Sequence, residues 1–254
     1  MEKKNSIKEI KEQYKEMSVL ETEQFVEMYG DDSRSGVQKI IVTALRQKEL
    51  YEKEIERTEK MKEYERKYGA CSYICGIDEV GRGPFAGPVV AGAVILPKDC
   101  NILYINDSKK LTASKREELC KQILKEAIAV EVGVVSPEVI DEINILQATY
   151  EAMRKAISKL SVTPDILLND AVNIPGINIK QIPIIKGDAK SISIAAASIV
   201  AKVTRDKMME EYGKIYPEYN FAGNKGYGSA EHIEALKKYG PCPIHRRSFI
   251  KNYI

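Results

Sequence analysis

The chain has 254 residues, 44% hydrophobic and 30% charged, with a net charge of only +2. That length allows one large domain or a domain with an extension, and so small a charge is no nucleic-acid footprint by itself, so any basic surface must be local. No apolar run approaches the roughly 20 residues of a membrane span, and Met1-Glu2-Lys3-Lys4 lacks the apolar core of a signal peptide, so a cytoplasmic protein with no membrane partner is expected.

Residues 1–70 read as helices. Ile7, Ile10, Tyr14 and Met17 repeat at helical spacing. Ser6 with Glu9, Ser18 with Glu21 and Ser35 with Gln38 each fit a capping box, which marks three helix starts. Val37, Ile40, Ile41, Ala44 and Leu45 line the third helix, and the pattern runs on toward Tyr68. The region holds no proline, and its 15 basic and 16 acidic side chains balance, which favours a packing domain over a substrate-gripping arm.

From residue 71 to 254 the character changes, and all ten prolines lie at or after Pro84. Strands are predicted at Tyr73–Asp78, Val89–Leu96, Ala129–Val135, Asp165–Asn169 and Ile182–Ile185. Helices are predicted at Ser114–Ala127, Ile145–Leu160, Ala189–Tyr212 and Ala230–Tyr239. Interleaved strands and helices give an α/β architecture with a parallel or mixed sheet. The small residues of Ser191–Val203 suit a helix packed tightly on that sheet, aiming Asp188. Five scattered cysteines with no Cys-x-x-Cys pair, and only two histidines, argue against a zinc site and for buried, reduced thiols. His232, taken as a lone histidine on a helix, is given no catalytic role.

Three apolar segments run into acid: one into Asp78-Glu79, one into Asp170, one through Lys186-Gly187 into Asp188. In an α/β sheet, strand ends and nearby helix starts gather on one edge, where ligands bind. Four carboxylates brought together repel unless cations neutralise them. Two Mg²⁺ or Mn²⁺ ions roughly 3.5–4 Å apart would do so and would clamp both oxygens of a phosphodiester in displacement. Between Glu79 and Pro84 lies Gly81-Arg82-Gly83, a turn that lets amides and a guanidinium approach a phosphate or sugar. Lys109, Lys110 and Lys186 are candidate phosphate contacts. Several have an ordinary alternative: Asp188 as a helix N-cap, Asp170 as a turn former, Arg82 in a surface ion pair, Lys109-Lys110 as a solvated turn, and a further aromatic candidate, Tyr227, in packing, whereas adjacent acids such as Asp78-Glu79 are costly to place at the end of a buried strand.

Taken together, Gly76–Pro84, Asp107-Ser108-Lys109-Lys110-Leu111, Asn169-Asp170, Lys186-Gly187-Asp188, Ile194–Lys202, Thr204-Arg205-Asp206, Lys225–Gly228 and His245–Phe249 resemble bacterial ribonuclease HII, the type 2 ribonuclease H family. The resemblance covers roughly residues 73–250. It implies a ribonuclease H-like α/β fold, a mixed central sheet flanked by helices, with residues 1–70 as an N-terminal helical extension and 71–254 as the catalytic domain. It implies cleavage of RNA in RNA–DNA hybrids and incision 5′ of a single ribonucleotide in duplex DNA, as in ribonucleotide excision repair, by a monomer. Asp78, Glu79, Asp170 and Asp188 would be the catalytic, metal-binding acids. Gly81, Arg82 and Gly83 would contact the 2′-hydroxyl and neighbouring phosphate, and Tyr227 would stack on the sugar 3′ of the ribonucleotide. The sibling family, ribonuclease HIII, lacks the arginine of this turn, so Arg82 argues for type HII.

Overall fold

A computed structural model describes residues 5–254. The chain forms two compact units, one ending at Glu59 and the other beginning at Lys60.

The first unit is helical. Helix α1 (Ile7–Glu16) starts at the expected box, with the Ser6 amide donating to Glu9 Oε2 at 2.7 Å and the Glu9 amide to Ser6 Oγ at 3.3 Å. Ser18 and Glu21 form the second box, which opens a 3-10 turn ahead of α2 (Thr22–Tyr29). The third box does not form. Ser35 is already the first residue of α3 (Ser35–Met61), and the Gln38 side-chain amide instead donates to the Gly30 and Asp32 carbonyls at 3.0 and 2.7 Å. The Gln38 backbone amide goes to the Arg34 carbonyl at 3.1 Å rather than to Ser35 Oγ. Ile10, Phe25, Tyr29, Val37 and Ile41 make this unit's core. The long helical pattern stops at Met61, and a separate short helix, α4 (Glu63–Lys67), follows in the second unit.

The second unit is built on a five-stranded sheet. Strands β1 (Ile74–Val80), β2 (Val89–Ile95) and β3 (Ala129–Val135) pair antiparallel, and β4 (Ile166–Asp170) and β5 (Lys180–Ile184) extend the other edge in parallel. The order is β3-β2-β1-β4-β5, which puts β1 in the middle. Helix α5 (Ala113–Glu126) leads into β3. Helix α6 (Pro137–Lys159) packs Ala148, Ala152 and Met153 with Cys75, Ile77 and Ala91 of the sheet. On the other face, α7 (Ile192–Ile215) packs Ala195, Ala196 and Ala197 with Val94. Glycine permits that close approach: a Cβ on Gly76 would lie 2.1 Å from the Ser193 carbonyl carbon, and one on Gly92 2.5 Å from the Ala197 carbonyl oxygen. Helices α8 (Phe221–Asn224), α9 (Ala230–Tyr239) and α10 (Arg247–Ile250) close the chain.

Two helix starts differ from the sequence reading. Residues 137–143 are helical too, begun by proline at the first position, but Asn144 breaks the helix at φ 67° and its Oδ1 caps the amides of Leu146 and Gln147. The segment read from Ile145 is therefore the second half of a kinked pair. Asp188 lies inside a 3-10 turn, Gly187–Ala189, and α7 is capped by Ser191, which accepts from the Ile194 amide. Four of the five free cysteines are buried. Among the described residues no helix is long and apolar enough to cross a membrane.

Candidate active site

Side chains alternate across β1. Cys75 and Ile77 enter the core under α6, so Asp78 falls on the α7 face. There it is 6% exposed and hydrogen-bonded by Ser198 of α7, whose Oγ lies 2.9 Å from Ser108 Oγ. Asp78 Oδ1 also accepts from the Glu79 amide at 2.7 Å. Burial, with the charges of Glu79 and Asp170 adding to it, pushes the Asp78 carboxyl well above the usual carboxylate range. Glu79 is raised too, mainly by burial, while Arg82 opposes the shift from an ion pair of 3.2 Å.

Asp170 follows Asn169, the residue matched to Ile77 in the parallel register, so it stands on β4 beside Asp78 on β1. Its Oδ1 accepts from the Gly187 amide at 2.7 Å, which ties the turn carrying Asp188 to the end of β4. Asp188 is raised by burial and then by the charges of Asp107 and Asp170. The charge of Asp170 thus acts on all three other acids.

As they stand, no three Asp, Glu, His or Cys side chains among the described residues are grouped to hold a metal ion. The carboxylates are engaged by protein donors instead: Glu79 by Arg82, Asp170 by Gly187, Asp78 by Ser198 and the Glu79 amide. Their chemistry nonetheless fits a hard divalent cation, with oxygen donors only and a buried acid whose ionised form lacks a counter-charge.

A cavity of about 400 Å³ opens beside β1. Asp78 and Glu79 line one side; Ser108, Lys109, Arg116, Ser198, Lys202 and Tyr227 are among the residues that line the rest. Asp170 and Asp188 are not in the lining, and neither is Lys186, an exposed residue in left-handed backbone beyond β5. Lys202 and Arg116 share Asp206, at 2.6 and 3.8 Å, and Arg116 also donates to the Ser108 carbonyl at 2.6 Å. Ser108, Arg116, Ser198 and Lys202 were not singled out from sequence. Three of them lie inside the motif segments quoted above, but nothing in the spacing showed that their side chains turn toward Asp78.

The Gly81–Gly83 turn sits next to Tyr227: a Cβ on Gly83 would be 3.8 Å from the tyrosine ring. Gly81 adopts φ +92°, a conformation that only glycine takes without strain, and packs against Arg205. Arg205 and Arg246 are both fully buried, and neither pairs with a carboxylate in the structure. Arg205 donates to the carbonyls of Ala86, Pro88 and Lys225 at 3.1, 2.9 and 2.9 Å. Arg246 donates to those of Gly81, Arg82 and Gly87 at 2.6 to 3.0 Å. Burial lowers Arg205 to about 10, and burial with the neighbouring Arg205 charge lowers Arg246 to about 9.

His232 is not alone, contrary to the sequence reading. The Cys242 amide donates to His245 Nδ1 at 3.0 Å, which leaves the His245 proton on Nε2, 2.9 Å from His232 Nε2. His232 therefore carries its own proton on Nδ1 and donates it to the Tyr227 carbonyl at 2.8 Å. The partner lies thirteen residues away in sequence, and no periodicity links the two.

A mixed sheet whose middle strand ends in buried acid, with a second acid strand beside it, is the frame of a ribonuclease H-like nuclease. The solved ribonuclease H2 of Pyrococcus horikoshii shares the fold, with a TM-score of 0.60 and 30% identity over 71% of this chain and 96% of that one. The Ribonuclease HII family profile matches residues 75–252, and that of the Ribonuclease HII N-terminal domain matches 6–69. Ribonuclease HII of Lachnoclostridium phytofermentans is 63% identical over 224 residues, 88% of either chain, and that of Clostridioides difficile is 51% identical over 251 residues, 98% of either chain. The chain belongs to the ribonuclease HII family, and it is a ribonuclease H, an enzyme class that cleaves the RNA of RNA–DNA hybrids.

Proposed function

We propose that this enzyme also incises duplex DNA 5′ of a single embedded ribonucleotide, by hydrolysis that leaves 5′-phosphate and 3′-hydroxyl ends. Asp78, Glu79, Asp170 and Asp188 hold two divalent cations, Mg²⁺ or Mn²⁺. The observation that carries this reading is geometric: Asp170 stands on β4 beside Asp78 on β1, Glu79 adjoins Asp78, and the Gly187 amide ties the turn of Asp188 to Asp170, an array of acids whose mutual repulsion divalent cations relieve. When bound, the cations supply a water of lowered pKa and charge stabilisation for the leaving oxygen. The protein's own residues do the rest. Arg82, with Gly81 and Gly83, takes the 2′-hydroxyl and the adjoining phosphate; Tyr227 presses on the next sugar; Lys109, in the cavity wall, and Lys186 take phosphates. The chemistry resides in the unit that begins at Lys60, the helices before it fold as a separate unit shorter than the 1–70 read from sequence, and the enzyme works as a cytoplasmic monomer.

The test is a labelled DNA duplex with one ribonucleotide, incubated with protein and Mg²⁺ or Mn²⁺. The wild type is expected to nick 5′ of the ribonucleotide, and Asp170→Asn to lose the nick while keeping its far-ultraviolet circular dichroism. Undiminished cutting by Asp170→Asn would remove that acid from the metal site, and no nick by the wild type would sink the proposal.

A further inference from the structure

Arg246 lies almost at the end of the chain, far in sequence from the turn its guanidinium holds. Three segments meet around it. The Arg246 amide donates to the Phe85 carbonyl at 2.8 Å, the Gly87 amide to the Ile244 carbonyl at 2.9 Å, and the Phe85 amide to the Gly226 carbonyl at 2.8 Å. Residues 85–87 are thus stapled both to the segment leading to Tyr227 and to the segment carrying Arg246. Within this frame Arg246 Nη2 donates to the Gly81 carbonyl at 2.6 Å and Nη1 to the Arg82 carbonyl at 3.0 Å.

The direction of those carbonyls has a consequence. Each peptide is planar and trans, so a carbonyl and the amide of the next residue point opposite ways. The Gly81 carbonyl turned inward sends the Arg82 amide outward, and the Arg82 carbonyl turned inward does the same for Gly83. Both residues are exposed, and neither amide has a hydrogen-bond acceptor among the described residues. Arg246 is fully exchanged from water into protein and spends its donors on carbonyls. A buried guanidinium without a carboxylate is costly to keep, and bonding to those carbonyls polarises the peptides whose amides face out.

We propose that Arg246 is a positioning residue for ribonucleotide recognition: it orients the Gly81 and Arg82 peptides so that two amide hydrogens face the substrate oxygen that separates RNA from DNA. The inference rests on the reading above, in which the Gly81–Gly83 turn meets the ribonucleotide. Lysine at this position keeps the charge and loses the fork that spans two carbonyls. Arg246→Lys therefore leaves the acids in place and lets the two peptides rotate.

The experiment compares Kd for a duplex with one ribonucleotide against the same sequence in DNA alone, without divalent metal so that no strand is cut. The wild type is expected to prefer the ribonucleotide duplex. Arg246→Lys should lose about tenfold of that ratio, the worth of one hydrogen bond, with binding to the all-DNA duplex little changed. Met153→Ala, which cavitates the core under α6, should lose thermal stability and keep the ratio. An unchanged ratio in Arg246→Lys overturns the proposal. So does a ratio loss of equal size in Met153→Ala. If Arg246→Lys does not fold, the wild type decides: its Arg82 and Gly83 amide resonances should shift with the ribonucleotide duplex and not with the DNA duplex, and unmoved resonances overturn the proposal. A wild type that nicks at the ribonucleotide while either result goes against Arg246 leaves the function standing. A wild type that neither nicks nor prefers the ribonucleotide removes the function and this inference together.

Discussion

On the acid side of the cleft, Asp78, Glu79 and Asp170 stand at the ends of β1 and β4, strands whose ladders would form as well with neutral residues there. On the loop side, the turn from Gly81 to Pro88 and the segment from Lys225 to Tyr227 have no strand ladder of their own. Buried cations hold them, with seven donor contacts from Arg205 and Arg246 onto their carbonyls. The acids are carried by the fold and strain it; the guanidiniums are part of what makes the fold. Function and stability should therefore separate on one side and coincide on the other.

Asp78→Asn gives the largest expected effect. Cutting of the ribonucleotide duplex should fall about 10³-fold in kcat, ~4 kcal/mol of barrier. Stability should hold or rise, because a buried acid flanked by two like charges becomes a neutral amide. A gain of about 1 kcal/mol would raise Tm by ~2–4 °C for a chain of this size. A lower Tm would break the comparison, since Asp78 would then be supporting the strand it ends.

Arg205→Leu should do the reverse. It leaves the Ala86, Pro88 and Lys225 carbonyls without their donor in a site that is 0% exposed. Unpaired buried acceptors of this kind cost ~3 kcal/mol or more, a fall of about 6–12 °C in Tm. Calorimetry that finds the melt within about 2 °C of wild type would mean that other contacts hold the two segments.

The same contrast governs what could be read from sequence. The five strands were legible because β-branched runs and their flanking turns are local signals, and Asp78, Glu79, Asp170 and Asp188 could be picked out as candidates because each closes or follows such a run, Asp188 by way of Lys186 and Gly187. Gly76 and Gly92 are plain in the sequence, but their need became visible only once α7 lay on the sheet. Arg205 and Arg246 stood in view inside quoted motifs, yet a buried arginine looks like any arginine until its acceptors are known. Those acceptors lie more than a hundred residues away for most of the bonds, at Pro88, Ala86, Gly87 and Gly81. The third capping box failed for a related reason: the Gln38 side chain donates to the Gly30 and Asp32 carbonyls and its backbone amide goes to the Arg34 carbonyl, partners that the Ser-x-x-Gln spacing does not show.

The smallest effect concerns the imidazole pair behind Tyr227. With the Cys242 amide on His245 Nδ1 and His245 Nε2 facing His232 Nε2, a further proton on either ring would set two N–H groups head to head. Burial lowers the pKa of both rings, and burial together with the His232 neighbour takes His245 from 6.5 to about 4. A histidine depressed in the folded state gives stability that is fully present above its unfolded pKa and lost as pH falls below it, because the unfolded chain then takes up the proton first. His245 alone should lower stability by about 0.8 kcal/mol between pH 8 and pH 6. Asp78 acts with the opposite sign, since its raised folded pKa makes the folded chain the better proton acceptor as pH falls. The two are separated by measuring Tm across pH 6 to 8 for the wild type and for His245→Gln, which cannot titrate. The wild type should lose stability faster than His245→Gln over that window, and equal slopes would show that the pair takes up its proton in the folded state without cost to the loop that carries Tyr227.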